Sequence, residues 1–305
     1  MSLTPAAQRA VLYGLLGELA DRRRPIRAEQ RDEREQDGYL LESWVLDLNG
    51  LEPVPAFLAR PRGPRQRRPA ILFNHSHGGG YDVGKRELVE GRSYLQPLPY
   101  AKALTDAGWT ALCIDHWCFG ERESARRPEL DTFKAMLWQG QVLWGGMVYD
   151  ALRALDWLLA RDDVDPARAG TLGMSMGSTM AQWVAALDER VKVTVDLCCL
   201  TDYQALLAAK GLGEHGIYYF VPGLLKHFTA AGLNALTVPR AHLAVAGLRD
   251  PLTPVAGLDR IDGELTRAYA AAGHPERWKL LRYDVAHHEA PEAREAVLAF
   301  LRANL

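Results

Sequence analysis

Short apolar runs alternate with helical patterns through most of this chain, and this alternation limits the possible folds more than any other feature. Each run has the length of one buried strand and is bounded by turn residues. The runs are Ala70 to Asn74, Thr110 to Ile114, Ala169 to Gly173, Val191 to Leu197, His242 to Ala246 and Trp278 to Tyr283. Helical patterns lie between and after them, over 94–107, 131–161, 178–187, 255–272 and 289–301. The alternation predicts an α/β protein with a mostly parallel central sheet and helices on both faces.

A different pattern precedes this alternation. Residues 1–24 carry apolar side chains at helical spacing, which predicts an amphipathic helix, and 25–38 has the composition of a charged connector. Two weakly alternating segments, 43–48 and 54–60, flank Asn49-Gly50, a strong signal for a hairpin turn. The sequence therefore predicts an antiparallel hairpin at the N-terminal edge of the sheet.

These patterns divide the chain into two parts. Residues 1–38 form the N-terminal helix and connector, and 39–305 form one α/β domain. Within that domain, 201–239 is rich in glycine, proline and aromatic residues and breaks the alternation. We interpret this stretch as a small cap-like insertion over the sheet rather than as an independent domain.

Charge and cysteine content exclude several classes of protein. The 305-residue chain has 36 Lys and Arg against 38 Asp and Glu, so it lacks the basic excess that nucleic-acid binding needs. It also lacks the run of about 18 apolar residues expected of a membrane span. The four cysteines form no Cys-x-x-Cys pair, and the first residues lack the pattern of a signal peptide. We therefore predict buried free thiols and a cytoplasmic location, with neither nucleic acid nor a membrane as partner.

The motif with the clearest chemistry is Gly173-Met174-Ser175-Met176-Gly177, which follows a predicted strand and precedes a predicted helix. A sharp turn at this place lifts a serine hydroxyl above the sheet and makes it a candidate nucleophile. Glycine on either side permits close packing of the turn. The alternative is an ordinary glycine-rich turn in which the serine is incidental.

A serine nucleophile needs a base and an acid that orients the base, and after such a turn the chain order is serine, acid, histidine. Asp250 follows one predicted strand, and the pair His287 and His288 follows the last strand. All of them fall at the carboxyl ends of strands, where open α/β sheets carry their sites. Asp196 and Asp115 also end strands and are alternative acids, although Asp115 precedes the serine and has the position of a residue that orients a loop.

These residues resemble the α/β-hydrolase superfamily, and most closely its dienelactone-hydrolase-like and acetyl-xylan-esterase-like serine hydrolases. The resemblance extends from about residue 40 to the C-terminus. Its anchors are the hairpin, Asn74-His75-Ser76-His77-Gly78-Gly79, Asp115 with Phe119-Gly120-Glu121-Arg122, the Ser175 turn, Gly247 to Pro254, and His-Glu before the last helix. Dienelactone hydrolase itself has cysteine at the turn, so Ser175 indicates ester chemistry instead.

The resemblance also implies roles for individual residues. Such hydrolases often have His-Gly-x-Gly after the third strand, and here Ser76 replaces the first glycine. The His77 N–H is then one donor to the oxyanion, and the Met176 N–H, directly after the nucleophile, is the other. Similar hydrolases often have Gly-His-x-Glu before the last helix, which makes His287 the base and His288 the variable residue, although Ala286 replaces the glycine.

Two further groups of residues have alternative interpretations. The insertion contains His215, Tyr218, Tyr219 and Phe220, which either line a substrate pocket or pack the insertion onto the core. His75 and His77 are spaced as two metal ligands, but the sequence offers no further ligands to complete a site. We predict no metal and no cofactor.

The expected function is hydrolysis of a carboxylic ester, a small acyl ester or a lactone, through an acyl-enzyme. Ser175 is the expected nucleophile, His287 the base and Asp250 the acid that holds it, so the partner is a small-molecule ester. An amidase or peptidase with the same triad is the alternative enzyme. A non-catalytic binding protein on the same scaffold is the alternative outside enzymes.

Overall fold

A nine-stranded sheet runs through the part of the chain that the computed structural model describes, residues 3–122 and 129–305. The strands are β1 (Arg27–Gln36), β2 (Tyr39–Asp47), β3 (Val54–Pro61), β4 (Arg68–Asn74), β5 (Thr110–Ile114), β6 (Val164–Met174), β7 (Val191–Leu197), β8 (Ala241–Gly247) and β9 (Trp278–Tyr283). Their order across the sheet is β1-β2-β3-β5-β4-β6-β7-β8-β9. Strands β1, β2 and β3 are antiparallel, β3 also pairs antiparallel with β5, and all later pairs are parallel.

Ten α-helices occur in the described residues. They are α1 (Pro5–Gly14), α2 (Glu87–Glu90), α3 (Tyr100–Asp106), α4 (Glu129–Trp138), α5 (Leu143–Leu159), α6 (Met176–Leu187), α7 (Tyr203–Ala208), α8 (Ala230–Asn234), α9 (Val255–Ala271) and α10 (Pro291–Asn304). The α/β class, the mostly parallel sheet and the antiparallel N-terminal hairpin are confirmed.

Helices cover both faces of the sheet because successive strand residues point to opposite sides. In β8, Leu243 and Val245 lie in the hydrophobic cluster that contains α3 and α10. Their neighbours Ala244 and Ala246 pack in the cluster that contains α9. Strand β8 is therefore buried on both faces, which explains why it is an apolar run in the sequence.

The N-terminal prediction was wrong in two respects. The first helix ends at Gly14 instead of residue 24, and the predicted connector 25–38 contains β1. Nine of the ten β1 residues are exposed, so this edge strand has no apolar face by which the sequence would reveal it. The sheet thus begins at Arg27, before the boundary predicted at residue 39.

Two helical segments are shorter than predicted, for local reasons. The segment 94–107 becomes helical only at Tyr100, because Pro97 and Pro99 disfavour helical backbone in the residues before them. The pattern over 131–161, which Gly140, Gly145 and Gly146 interrupt in the sequence, is divided into α4 and α5 at Gly140, whose φ is +70°. Gly145 does not interrupt α5. A Cβ there would lie 1.9 Å from the Leu16 carbonyl oxygen, so the glycine permits close packing on the N-terminal segment.

The stretch 201–239 contains α7, α8 and several short 3-10 turns between β7 and β8. Helix α4 anchors it, since the Tyr218 N–H donates to the Glu129 carboxylate over 3.3 Å. The Tyr218 ring is 4% exposed and packs against Trp144 and Phe119.

All four cysteines are buried and free, as predicted. Within 3–122 and 129–305, no helix combines the length and the apolar character needed to cross a membrane.

Candidate active site

Ser175 occupies a strained turn between β6 and α6. Its φ of +57° and ψ of −120° lie outside the regions that non-glycine residues favour, and its N–H donates to the Leu197 carbonyl over 2.8 Å. A Cβ at Gly177 would lie 1.9 Å from the Asn74 carbonyl oxygen, and one at Gly173 would lie 2.2 Å from the Gly177 carbonyl oxygen. The two glycines therefore let strand, turn and helix pack closely enough to hold the serine at the carboxyl end of β6.

Asp250 and His287 form a hydrogen-bonded pair at the carboxyl ends of β8 and β9, the same end of the sheet as Ser175. Asp250 Oδ2 lies 2.6 Å from His287 Nδ1, and its Oδ1 accepts the Leu252 N–H over 2.9 Å. The carboxylate is buried, whereas the His287 side chain is 23% exposed. Among residues 3–122 and 129–305, His287 Nε2 has no hydrogen-bond partner. His288 is exposed, and its N–H donates to the Ala286 carbonyl over 2.8 Å.

Backbone hydrogen bonds join the loops that carry this pair. The Leu248 N–H donates to the Tyr283 carbonyl over 2.8 Å, and the Arg249 N–H donates to the Val285 carbonyl over 3.0 Å. Gly247 lies so close to the second loop that a Cβ would be 2.2 Å from the Ala286 carbonyl oxygen. The position of the carboxylate relative to the imidazole is therefore set by main-chain contacts.

The two alternative acids have other partners. Asp196 is fully buried and binds His242 Nε2 over 2.6 Å in the core. Asp115 accepts the Lys85 N–H over 2.7 Å and the Glu121 N–H over 3.1 Å, and it pairs with the Lys85 ammonium over 2.8 Å. Asp115 thus joins two loops, the role that its position in the sequence indicated.

His75 is occupied by hydrogen bonds inside the protein. Its Nδ1 contacts the Ser76 carbonyl over 2.9 Å, and its Nε2 accepts the His116 N–H over 3.2 Å. Burial lowers the pKa of His75 to about 4. Both ring nitrogens are engaged, so this residue fits a structural role better than that of a metal ligand. Within the described ranges, no three His, Cys, Asp or Glu side chains form a cluster that would hold a metal ion.

His77 is half-buried and packs among aromatic rings. Its ring centroid lies 4.5 Å from that of Tyr81, 5.6 Å from Phe119 and 5.7 Å from Tyr218. Burial, and then the charge of Arg92, lower the pKa of His77. Its backbone belongs to the loop after β4, whose next two residues, Gly78 and Gly79, both have positive φ. Met176 is the first residue of α6, so its N–H has no acceptor within the helix.

The four residues predicted to line a pocket occupy different surroundings. His215 stacks on Tyr219 with 4.6 Å between ring centroids, and burial followed by the charge of His287 lowers its pKa. Tyr219 and Phe220 line a largely apolar cavity of about 440 Å³ in the insertion. Tyr218 is part of the core, so the packing interpretation describes its surroundings.

Sequence reasoning missed a group of polar residues behind the loop after β4. Glu87, Arg92 and Tyr94 all contact this loop. The Tyr94 carbonyl also accepts the N–H of Glu289, in the loop between β9 and α10 that carries His287 (the histidine loop). Ser76 was the sequence signal for this group, because a buried serine in place of an expected glycine needs hydrogen-bond partners for its hydroxyl.

Comparison with known proteins gives one extensive sequence match and many structural ones. The chain is 46% identical over 297 residues to the "Putative hydrolase YtaP" of Bacillus subtilis, covering 97% of this chain and 98% of the relative. A "putative acetyl xylan esterase" of Bacteroides fragilis superposes with a TM-score of 0.75 at 19% identity, covering 99% of this chain and 87% of that one. A glucuronoyl esterase of Solibacter usitatus gives 0.71 at 15% identity, covering 98% and 91%. No family model matches the chain.

A mostly parallel sheet with an antiparallel edge and a strained serine turn after β6 is the arrangement of the α/β-hydrolase fold, and the structural matches show the same fold. The chain belongs to the same family as the Bacillus subtilis relative, since the two are 46% identical over nearly the whole length of both chains.

Proposed function

We propose that this protein is a serine hydrolase that cleaves a carboxylic ester, with Ser175 as nucleophile, His287 as base and Asp250 as the acid that orients it. The observation that carries the proposal is the strained Ser175 turn at the carboxyl ends of the strands. The same end of the sheet bears Asp250 and His287, which are hydrogen-bonded over 2.6 Å. An ordinary glycine-rich turn gives no reason for the positive φ of a non-glycine residue.

The proposed reaction has two halves. The Ser175 oxygen attacks the acyl carbon while His287 Nε2 takes the hydroxyl proton, and Asp250 stabilises the resulting imidazolium. The Met176 and His77 N–H groups donate to the oxyanion. The carbon–oxygen bond to the alcohol then breaks, and the alcohol leaves with the proton from His287. Water, deprotonated by His287, cleaves the acyl-enzyme by the same route and restores Ser175.

Ester substrates are favoured over amides by the comparisons. The structural neighbours are named as acetyl xylan and glucuronoyl esterases, and the 46% identical relative as a hydrolase. We therefore propose a small acyl ester or a lactone as the substrate class. Amide or peptide cleavage remains the alternative activity of the same triad, and binding without turnover is the alternative outside enzymes. We also propose a cytoplasmic location, which the buried free thiols support.

A matched pair of chromogenic substrates tests this proposal. We expect the wild-type protein to hydrolyse p-nitrophenyl acetate or butyrate and to leave the corresponding p-nitroanilides largely intact. Faster anilide cleavage would favour the amidase alternative. No turnover of esters, lactones or anilides, together with reversible binding of one of them, would favour the binding protein.

The cavity in the insertion is the proposed site for the acyl group. Phe220 and Tyr219 line it, and the Tyr219 ring also stacks on His215, with 4.6 Å between the ring centroids. Tyr219 thus connects the apolar cavity to His215. Residues 201–239 would then act as a cap that selects the substrate.

We expect Phe220→Ala to raise hydrolysis of medium-chain relative to acetyl esters about tenfold, because it widens the cavity. Tyr218→Ala should chiefly lower stability, by about 3–5 kcal/mol, since its ring is buried in the core. Kinetics with p-nitrophenyl esters of increasing chain length and urea unfolding separate the two effects. Leu51→Ala is the control, as Leu51 is 65% exposed in the β2–β3 loop. An unchanged chain-length ratio in Phe220→Ala would contradict the acyl site.

Chelators are expected to leave ester turnover unchanged, because the proposed mechanism uses no metal or cofactor. The measurement is activity after dialysis against EDTA, compared with a buffer-dialysed sample. Inactivation that zinc reverses would make His77 a candidate ligand and would contradict the metal-free mechanism.

A further inference from the structure

A fully buried carboxylate lies directly behind the loop that follows β4. Glu87, on the short helix α2, is 0% exposed. Its Oε1 accepts the Ser76 N–H over 3.0 Å, and its Oε2 accepts a hydrogen bond from the Ser76 hydroxyl. Burial raises the pKa of Glu87 to about 7. Removing a carboxylate from water is costly, and no step of the proposed ester cleavage uses this one.

Arg92 holds the same loop at the following residues. Its Nη2 donates to the Gly78 carbonyl over 3.0 Å and lies 3.4 Å from the His77 carbonyl. Its Nη1 lies 3.9 Å from Glu87 Oε2. The Glu87 carboxylate therefore holds Ser76, the residue before His77, and the Arg92 guanidinium holds Gly78, the residue after it.

Tyr94 connects this loop to the histidine loop. Its hydroxyl contacts the Ser76 hydroxyl, and its backbone carbonyl accepts the Glu289 N–H over 2.9 Å. Glu289, two residues after His287, is anchored in turn by Tyr100 over 2.6 Å. The Tyr94 hydroxyl also closes the space beside Gly78, where a Cβ would lie 2.0 Å from it.

We propose that Glu87 is a positioning residue for the oxyanion loop, acting through Ser76 to fix the direction of the His77 N–H. Tyr94 and Arg92 complete this support and keep the loop in register with His287. The inference rests on the proposed function and adds how its oxyanion donor is held. Preorganised donors stabilise an oxyanion only at the right position, and an error of about 1 Å costs up to 100-fold in rate.

The contacts of Ser76 with Glu87 also give a reason for serine in place of the first glycine of the His-Gly-x-Gly pattern. Ser76 offers its N–H and its hydroxyl to the buried Glu87, whereas glycine would offer only the N–H. A buried carboxylate binding two donors of one residue restrains that residue more than a single bond would.

Glu87→Gln tests the inference, with Glu90→Gln as the matched control because Glu90 lies on the same helix with its side chain 54% exposed. The kcat for an activated ester is measured at pH 8 and divided by the number of active sites titrated with a fluorophosphonate. We expect this value to fall about 10- to 100-fold in Glu87→Gln. KM should change less than threefold, because ground-state contacts to substrate are untouched. Glu90→Gln should match the wild type. Ser76→Ala, which removes only the hydroxyl, should lower kcat in the same direction and serves if Glu87→Gln does not fold.

Hydrogen exchange gives a measurement that does not depend on turnover. We expect faster deuterium uptake over residues 75–80 in Glu87→Gln, and not in Glu90→Gln. Unchanged kcat per titrated site together with unchanged uptake in this segment would overturn the inference and leave the ester hydrolase proposal standing. If the wild type cleaved no ester, the proposed function would fail, and the exchange data alone would decide whether Glu87 fixes the loop.

Discussion

Ser175→Ala is expected to lower ester turnover by about 10⁴- to 10⁶-fold while leaving the fold intact. The change removes one oxygen, so the strained turn and its hydrogen bond to Leu197 are kept, whereas the acyl-enzyme no longer forms. Residual activity should remain, because donors to the oxyanion do not depend on the hydroxyl. Steady-state kinetics and covalent labelling by a fluorophosphonate measure both effects.

The exposed Ser93 provides the control for this experiment, and Ser93→Ala should label and turn over as the wild type does. A peptide map that placed the fluorophosphonate on another serine would remove Ser175 from the nucleophile role. So would a Ser175→Ala protein that kept more than about a tenth of the wild-type rate.

The second large effect is expected at the adjacent histidines. His287→Ala should reduce kcat by about 10⁴-fold or more, because it removes the ring that Asp250 holds over 2.6 Å. His288→Ala should change kcat less than threefold and act mainly on KM, since His288 is exposed. Kinetics of the two variants on the same ester give the comparison.

Asp250→Asn adds an internal check, because it alters the partner of only one of the two imidazoles. We expect it to lower kcat by about 10⁴-fold, as the amide no longer stabilises the imidazolium. A large loss in His288→Ala with near-normal turnover in His287→Ala would transfer the proposed base role to His288.

The parts of the fold that sequence predicted best are those with strong local patterns. Strands β5, β7 and β9 match their predicted bounds. The first two are short runs of mostly buried residues between turns, which gives them a strong local pattern. The Ser175 turn was equally visible, since glycines on both sides of a serine after a strand have a specific geometric purpose. Chain order indicated Asp250 and the pair His287 and His288, and the resemblance to similar hydrolases selected His287, which the structure pairs with Asp250.

The parts that sequence did not predict depend on distant partners or on exposure. Glu87 is a charged residue on a four-residue helix, and only the folded loop brings Ser76 to it. Strand β1 is charged on both faces, so neither periodicity nor composition distinguished it from a connector. Tyr218 was grouped with pocket residues by its aromatic neighbours, but burial is a property of the tertiary structure.

The exposed strand β1 has a consequence for how the molecule opens. It binds β2 through backbone hydrogen bonds but buries almost no side chain, so little hydrophobic free energy opposes its release. Local unfolding should therefore begin here and expose the edge of β2, which contains the buried Tyr39, Leu41 and Leu46. Opposite charges along β1 disfavour pairing with a foreign strand while it is in place. A strand without an apolar face thus protects the sheet against aggregation.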